Sequence, residues 1–168
     1  MIQKKLCMLG AFAVGKTSLT RRFVHSLYSD KYLTTVGVKI EKKPLSVNGQ
    51  EVSLIIWDIQ GEDEFGKINP AYLRGSAGYF LVADGTRGAT LDTVLDIARA
   101  ADAANPGAAR VLALNKADLA DAWEIPAPRI AELSAAGWAV LKTSARSGEG
   151  VEAAFESLAR QMLERQRG

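Results

Sequence analysis

Gly10-Ala11-Phe12-Ala13-Val14-Gly15-Lys16-Thr17 fits the pattern G-x-x-x-x-G-K-[ST] and decides how the rest of the chain is read. Such a stretch turns sharply from a strand into a helix, so that its backbone N–H groups converge on phosphate oxygens. Glycine at positions 10 and 15 permits the turn and the close approach. The donors expected on a phosphate chain are the N–H groups of Ala13, Val14, Gly15, Lys16, Thr17 and Ser18. Lys16 is placed to reach the β- and γ-phosphates, and the Thr17 hydroxyl to bind Mg²⁺. The loop by itself does not distinguish adenine from guanine nucleotides.

The flanks supply the context that the loop requires. Residues 4–9 form a short apolar run, and a helix is expected from about Lys16 to Leu27. Residues 38–47 and 51–58 alternate as strands, with Asn48-Gly49 between them as a hairpin signal. Tyr79–Asp84 and Val111–Leu114 are continuous apolar runs typical of strands buried on both faces, and Ala139–Thr143 is a weaker last strand. Helical patterns fill about 91–104, 127–136 and 151–164. Six strands alternating with helices predict an α/β fold: an open, mostly parallel sheet with helices on both faces, the hairpin adding one antiparallel edge strand. Ligands bind such sheets at the carboxyl ends of the strands.

Asn115-Lys116-Ala117-Asp118 directly follows the run ending at Leu114 and therefore falls on that edge. A carboxylate such as Asp118 accepts two hydrogen bonds, matching the N1–H and exocyclic amino donors of guanine. Adenine offers no such pair and would leave the carboxylate unpaired. Lys116 can lay its aliphatic stem over the base. Alone, these four residues would equally suit a helix-capping Asx loop; behind a phosphate loop they point to guanine.

With both motifs in order, the chain resembles a small GTPase of the Ras superfamily, Rab-like in pattern, over essentially its whole length. The resemblance implies a P-loop NTPase G domain spanning residues 1–168 as a single unit. Tyr32-Leu33-Thr34-Thr35-Val36-Gly37 resembles switch I, in which Thr35 closes over Mg²⁺ and the γ-phosphate. Trp57-Asp58-Ile59-Gln60-Gly61-Glu62 resembles switch II, which assigns Asp58 to Mg²⁺ and the Gly61 N–H to the γ-phosphate. Thr143-Ser144-Ala145 resembles the last guanine loop; the Ala145 N–H would meet the base O6, with Ser144 and Arg146 beside it. Tyr28 stands where the family packs an aromatic edgewise on guanine, and Ile40, Trp57 and Tyr72 stand where Rab proteins carry an effector-binding aromatic triad.

Three departures bear on catalysis. The position of the family's water-orienting glutamine holds Glu62, which when ionised accepts hydrogen bonds but donates none. A raised pKa would restore a donor, or the carboxylate would act as a base, so the sequence leaves the sign of its effect on rate open. Gln60 stands where alanine is usual, and Phe12 would either crowd the approach of a partner's arginine finger or pack against switch II. Such a finger contributes ~10³–10⁵-fold to the rate in this class of enzyme. The implied catalytic set is Lys16, Thr35, Gly61 and Glu62. Two readings follow: a slow GTP hydrolase acting as a switch, or a GTP-binding scaffold whose hydrolysis has been lost. A third, an ATP-dependent enzyme, requires Asp118 to be misread.

Composition narrows the setting. The 168 residues suit one domain, and the net charge of +2 gives no reason to expect nucleic acid. A single cysteine, Cys7, lies in an apolar run, reads as a buried thiol and suits a reducing, cytoplasmic setting. Lys4-Lys5 before Leu6-Cys7-Met8-Leu9 imitates a signal peptide, but its apolar core is too short and cleavage would destroy the phosphate loop. The final residues, Glu164-Arg165-Gln166-Arg167-Gly168, hold no prenylation cysteine, so no lipid anchor is expected. The expected partners are a guanine nucleotide, an effector and a GTPase-activating or exchange factor. His25, Trp123 and Trp138 stand outside every motif, His25 as a surface residue and the two tryptophans as packing.

Overall fold

The computed structural model describes residues 1–29, 37–59 and 68–167. Its elements run β1 (Ile2–Gly10), α1 (Lys16–His25), β2 (Val38–Val47), β3 (Gln50–Ile59), β4 (Gly78–Asp84), α2 (Ala89–Ala104), β5 (Ala109–Asn115), α3 (Ala127–Ala135), β6 (Val140–Lys142) and α4 (Val151–Arg167). Two short 3₁₀ turns, Pro70–Leu73 and Ala120–Ala122, were not evident in the sequence.

The strands form one sheet in the order β2-β3-β1-β4-β5-β6. All neighbours run parallel except β2 and β3, which pair antiparallel through the hairpin at Asn48-Gly49. Both turn residues have positive φ, 50° and 79°, as a two-residue hairpin matching the strand twist requires.

Alternation along the central strands assigns each side chain to one of two cores. Leu6, Met8, Phe80, Val82, Val111 and Ala113 face one side with Leu19 and Phe23 of α1 and Phe155 and Leu158 of α4. Cys7, Leu9, Leu81, Leu112 and Leu114 face the other, with Leu91, Val94 and Ile97 of α2 and Leu133 of α3. Burial on both faces explains why β4 and β5 read as unbroken apolar runs. The connection leaving β1 crosses one face toward the β2 edge, and the connection leaving β4 crosses the other toward β6. The loops after β1 and β4 therefore diverge, opening a crevice at the carboxyl ends of the strands.

The expected boundaries hold to within a few residues. The first helix stops earlier than Leu27 because Ser26 turns left-handed at φ 56° and its N–H caps the carbonyls of Arg21 and Arg22. Cys7 is buried, its Sγ 2.9 Å from Ser76 Oγ, and desolvation raises its pKa; it is an inert packing thiol. His25 is 46 % exposed, with Nε2 3.4 Å from Glu41 Oε2. Trp138 packs its ring face under the Arg110 guanidinium at 3.5 Å. Among the described residues no helix is long and apolar enough to cross a membrane.

Phe155 joins α4 to α1 and the sheet. Its ring stacks on Phe23 at 4.0 Å between centroids and meets Phe80 at 4.3 Å. Phe155→Ala should lower the unfolding free energy by about 3–5 kcal/mol, read from the midpoint of a urea transition. A loss under about 1 kcal/mol would mean that this aromatic contact is not a principal support of the core.

Candidate functional site

The loop after β1 is the centre of the site. Gly10 cannot carry a side chain, because a Cβ there would lie 2.5 Å from the Val82 carbonyl oxygen. Gly15 caps α1 in the left-handed region at φ 102°, and a Cβ would come within 2.3 Å of Asn115 Nδ2. Ala13 is also left-handed, at φ 62°, a conformation that costs energy for any residue with a Cβ. Local strain of this kind persists where the surroundings hold it in place.

Three consecutive carbonyls of this loop accept hydrogen bonds from side chains behind it. Arg87 Nη2 donates to Phe12 O at 2.9 Å, Lys116 Nζ to Ala13 O at 3.4 Å, and Asn115 Nδ2 to Val14 O at 3.0 Å. Asn115 is buried and its other carboxamide atom, Oδ1, accepts from Thr143 Oγ1 at 3.1 Å. One side chain thereby ties the loops that follow β1, β5 and β6.

The Asn115–Asp118 turn and the Thr143–Arg146 loop lie side by side. Ala117 N donates to Thr143 O at 3.0 Å, and Ser144 Oγ donates to Asp118 Oδ1 at 2.8 Å, fixing the carboxylate in orientation. Lys116 itself sits at φ 69°. Ala145 is buried within this loop. Arg22 of α1 supports it from beneath, donating from Nη1 to Arg146 O at 3.2 Å and from Nη2 to Ser147 O at 3.3 Å.

Lys16 is only 7 % exposed at the start of α1. Burial pulls its ammonium from the ordinary 10.5 to about 8, although the nearby Asp58 carboxylate acts in the opposite direction. Thr17 Oγ1 donates to Asp58 Oδ2 at 2.6 Å, joining the first turn of α1 to the end of β3. A hydroxyl and a buried carboxylate in contact form a hard-oxygen pair suited to Mg²⁺, which keeps several waters and takes further ligands from phosphates. Among the described residues there is no group of three or more His, Cys, Asp or Glu side chains that could hold a metal ion unaided.

Sequence reasoning gave no role to Asp84, Arg87 or Arg22. Asp84 ends β4 beside Asn115 in the strand register and is 1 % exposed. Its Oδ1 accepts from Thr86 N at 2.8 Å and Thr86 Oγ1 at 2.7 Å; its Oδ2 meets Lys116 Nζ at 2.9 Å and Arg87 Nε at 3.0 Å. Burial alone would raise the carboxyl pKa, but these hydrogen bonds outweigh it and hold the group below its ordinary 3.8. The available signal was an acid ending a fully apolar strand at the binding edge. Trp123, read as packing, covers Gly85 so closely that a Cβ there would fall 1.9 Å from its ring.

Of the remaining expected residues, Tyr28 follows α1 and is 41 % exposed, and Phe12 is 45 % exposed on the loop's outer side. Ile40 and Trp57 are directly opposite across β2 and β3, and Trp57 lies 6.3 Å from Tyr72 between ring centroids. The Lys5 ammonium covers Trp57 at 3.6 Å. Thr35, Gly61 and Glu62, together with Tyr32 and Gln60, lie outside the described residues.

Comparison with known proteins agrees with this architecture. The Ras family profile matches residues 5–164. The chain belongs to the Ras family. It is 32 % identical over 161 residues to Ras-related protein Rab-13 of Canis lupus familiaris, covering 95 % of this chain and 79 % of that relative. Ras-related protein Rab-8B of Homo sapiens is likewise 32 % identical, across 95 % of this chain and 78 % of its own length. The GTP-binding protein yptV2 of Volvox carteri is 33 % identical over 167 residues, 98 % of this chain and 77 % of that protein. This Ras-family protein is therefore a Rab-like small GTPase, built on the six-stranded G-domain sheet.

The depressed basicity of Lys16 has a measurable consequence. Between about pH 8 and 10.5 the unfolded chain holds this proton more tightly than the folded one. The stability of the ligand-free protein should therefore gain up to about 3 kcal/mol from Lys16 as pH rises through that window. Lys16→Met should be more stable than the wild type below pH 8 and lack this part of the rise. Urea titrations at both ends of the window compare the two proteins; identical pH slopes would show that Lys16 is not desolvated.

Proposed function

We propose that this protein is a guanine-nucleotide switch that binds GTP together with Mg²⁺, cleaves the β–γ phosphoanhydride slowly with water, and offers an effector one surface with GTP and another with GDP. The observation that supports this most is the Asp118 carboxylate, oriented by Ser144 at 2.8 Å on the sheet edge that also holds the Gly15-Lys16 turn. Base recognition and phosphate binding thus share one crevice.

The proposed roles follow from chemistry. N–H groups from Ala13 to Ser18 receive phosphate oxygens, and Lys16 stabilises negative charge on the leaving phosphates. A polyanion beside Lys16 restores the basicity that burial has removed. Thr17 and Asp58, with Thr35, would hold Mg²⁺, which when bound neutralises phosphate charge. Thr35 and Gly61 sense the γ-phosphate, so its loss releases both switch segments. Asp118 accepts from the guanine N1–H and amino group, while the Ala145 N–H meets O6. Ile40, Trp57 and Tyr72 form the effector-facing patch, with Lys5 over Trp57 adding a positive rim.

Hydrolysis is slow on this reading for two reasons. Glu62 brings an acceptor and a negative charge where a donor is useful. Phe12, exposed on the phosphate loop, obstructs a guanidinium supplied in trans. Single-turnover hydrolysis by the wild type should proceed on the order of 10⁻⁴ s⁻¹ or slower. Glu62→Gln should accelerate it roughly 10-fold by removing the repelling charge. Tight GTP binding with no phosphate release from either protein would replace the switch by a non-hydrolysing scaffold.

Asp118→Asn tests base recognition separately. The substitution replaces one acceptor by a donor and suits the carbonyl that xanthine carries in place of the guanine amino group. GDP affinity should fall by at least roughly 100-fold while xanthosine diphosphate binding is gained, measured by competition against a fluorescent nucleotide. Retention of GDP preference would remove Asp118 from the base site.

A further inference from the structure

We infer that Arg87, which belongs to no nucleotide-binding motif, is a positioning residue that holds the phosphate loop in its binding conformation and sets how long a bound nucleotide is retained. This rests on the guanine-nucleotide reading above and adds a residue to it.

The loop carbonyls of Phe12, Ala13 and Val14 are held in succession by Arg87, Lys116 and Asn115. Each such bond fixes the plane of one peptide, because C=O and the following N–H are rigidly opposed. With three successive carbonyls drawn backward, the N–H groups of Ala13, Val14 and Gly15 have their orientations set. A donor on a carbonyl also polarises the same peptide, strengthening its N–H as a donor in turn. Lys116 and Asn115 belong to the guanine motif. Arg87 supplies the first member of the row, on the peptide that carries the Ala13 N–H.

Arg87 is well built for this. Its Nε lies 3.0 Å from Asp84 Oδ2, leaving Nη2 to reach Phe12 O at 2.9 Å. The planar guanidinium makes both bonds at once, which a single-headed ammonium does not. Asp84 is 1 % exposed and is shared with Lys116, so one buried carboxylate seats the cations that grip two adjacent carbonyls. The Arg87 backbone is fixed too: its N–H donates to Asp84 O at 2.9 Å, and its carbonyl accepts from Thr90 Oγ1 at 2.7 Å. Ala13, next to Phe12, holds the costly left-handed conformation at φ 62°. Arg87 and Lys116 grip the carbonyls on either side of it.

The test is release of a fluorescent GDP analogue from the wild type, Arg87→Met and Arg87→Lys, with GMP and IDP affinities measured by competition. Arg87→Met should release GDP faster by on the order of 10-fold, and Arg87→Lys should fall between it and the wild type. The effect should be smaller on GMP, which offers the loop one phosphate in place of two. The preference for GDP over IDP should not change, because Asp118 and its partners are untouched. Unchanged GDP release in Arg87→Met would overturn the proposal. Equal weakening of GDP and GMP with a lowered melting temperature would overturn it as well, since that marks a general structural role. Failure of the wild type to bind GDP would defeat the functional reading and this proposal together, whereas failure in the variants alone defeats only the role of Arg87.

Discussion

The carboxamide of Asn115 is the constraint on which the arrangement of the site depends. Its nitrogen donates to Val14 O and its oxygen accepts from Thr143 Oγ1, so one buried side chain joins the loops after β1, β5 and β6. Buried amide groups left unpaired cost about 1–3 kcal/mol each, so the three loops are bound to one another in position. The closeness of the tie also leaves no room for a Cβ at Gly15, which would lie 2.3 Å from Asn115 Nδ2. The loop after β1 and the Asn115–Asp118 turn, some hundred residues apart in sequence, thus behave as one structural unit.

Charge is handled in two opposite ways around this unit. Asp84 is almost fully buried, yet hydrogen bonds from Thr86, Lys116 and Arg87 more than offset its desolvation, and it stays ionised. Lys16 is also buried, and Asp58 offsets only part of its lost hydration, so its ammonium is weakened to about 8. The carboxylate is a finished structural anchor. The ammonium is a cation whose full basicity would return beside additional negative charge.

Much of the fold was legible because the sequence obeys simple periods. Tyr79–Asp84 and Val111–Leu114 read as doubly buried strands, and they are β4 and β5 with one residue or two added at the ends. Asn48-Gly49 announced the hairpin, because few residue pairs accept two positive φ values. The last strand read weakly because β6 is three residues long, too short to establish a period. The helix end at His25 was misplaced by two residues, since a left-handed Ser26 leaves no compositional mark. Neither 3₁₀ turn was anticipated; four and three residues give no pattern to detect.

The site divides along a different line. The sequence by itself pointed to a phosphate-loop pattern at Gly10–Thr17 and a guanine-type turn at Asn115–Asp118, because such patterns are written contiguously. It also determined that both turns follow strands, and hence that both reach one edge of the sheet. Only the tertiary structure decided which side chains hold those turns in place. Arg22 reaches the carbonyls of Arg146 and Ser147 across more than a hundred residues, and Arg87 reaches Phe12 across 75. Such supports are single long side chains whose spacing in sequence follows no period. They become recognisable only when parallel strands bring the ends of β1, β4, β5 and β6 together and buried polar groups must each find a partner.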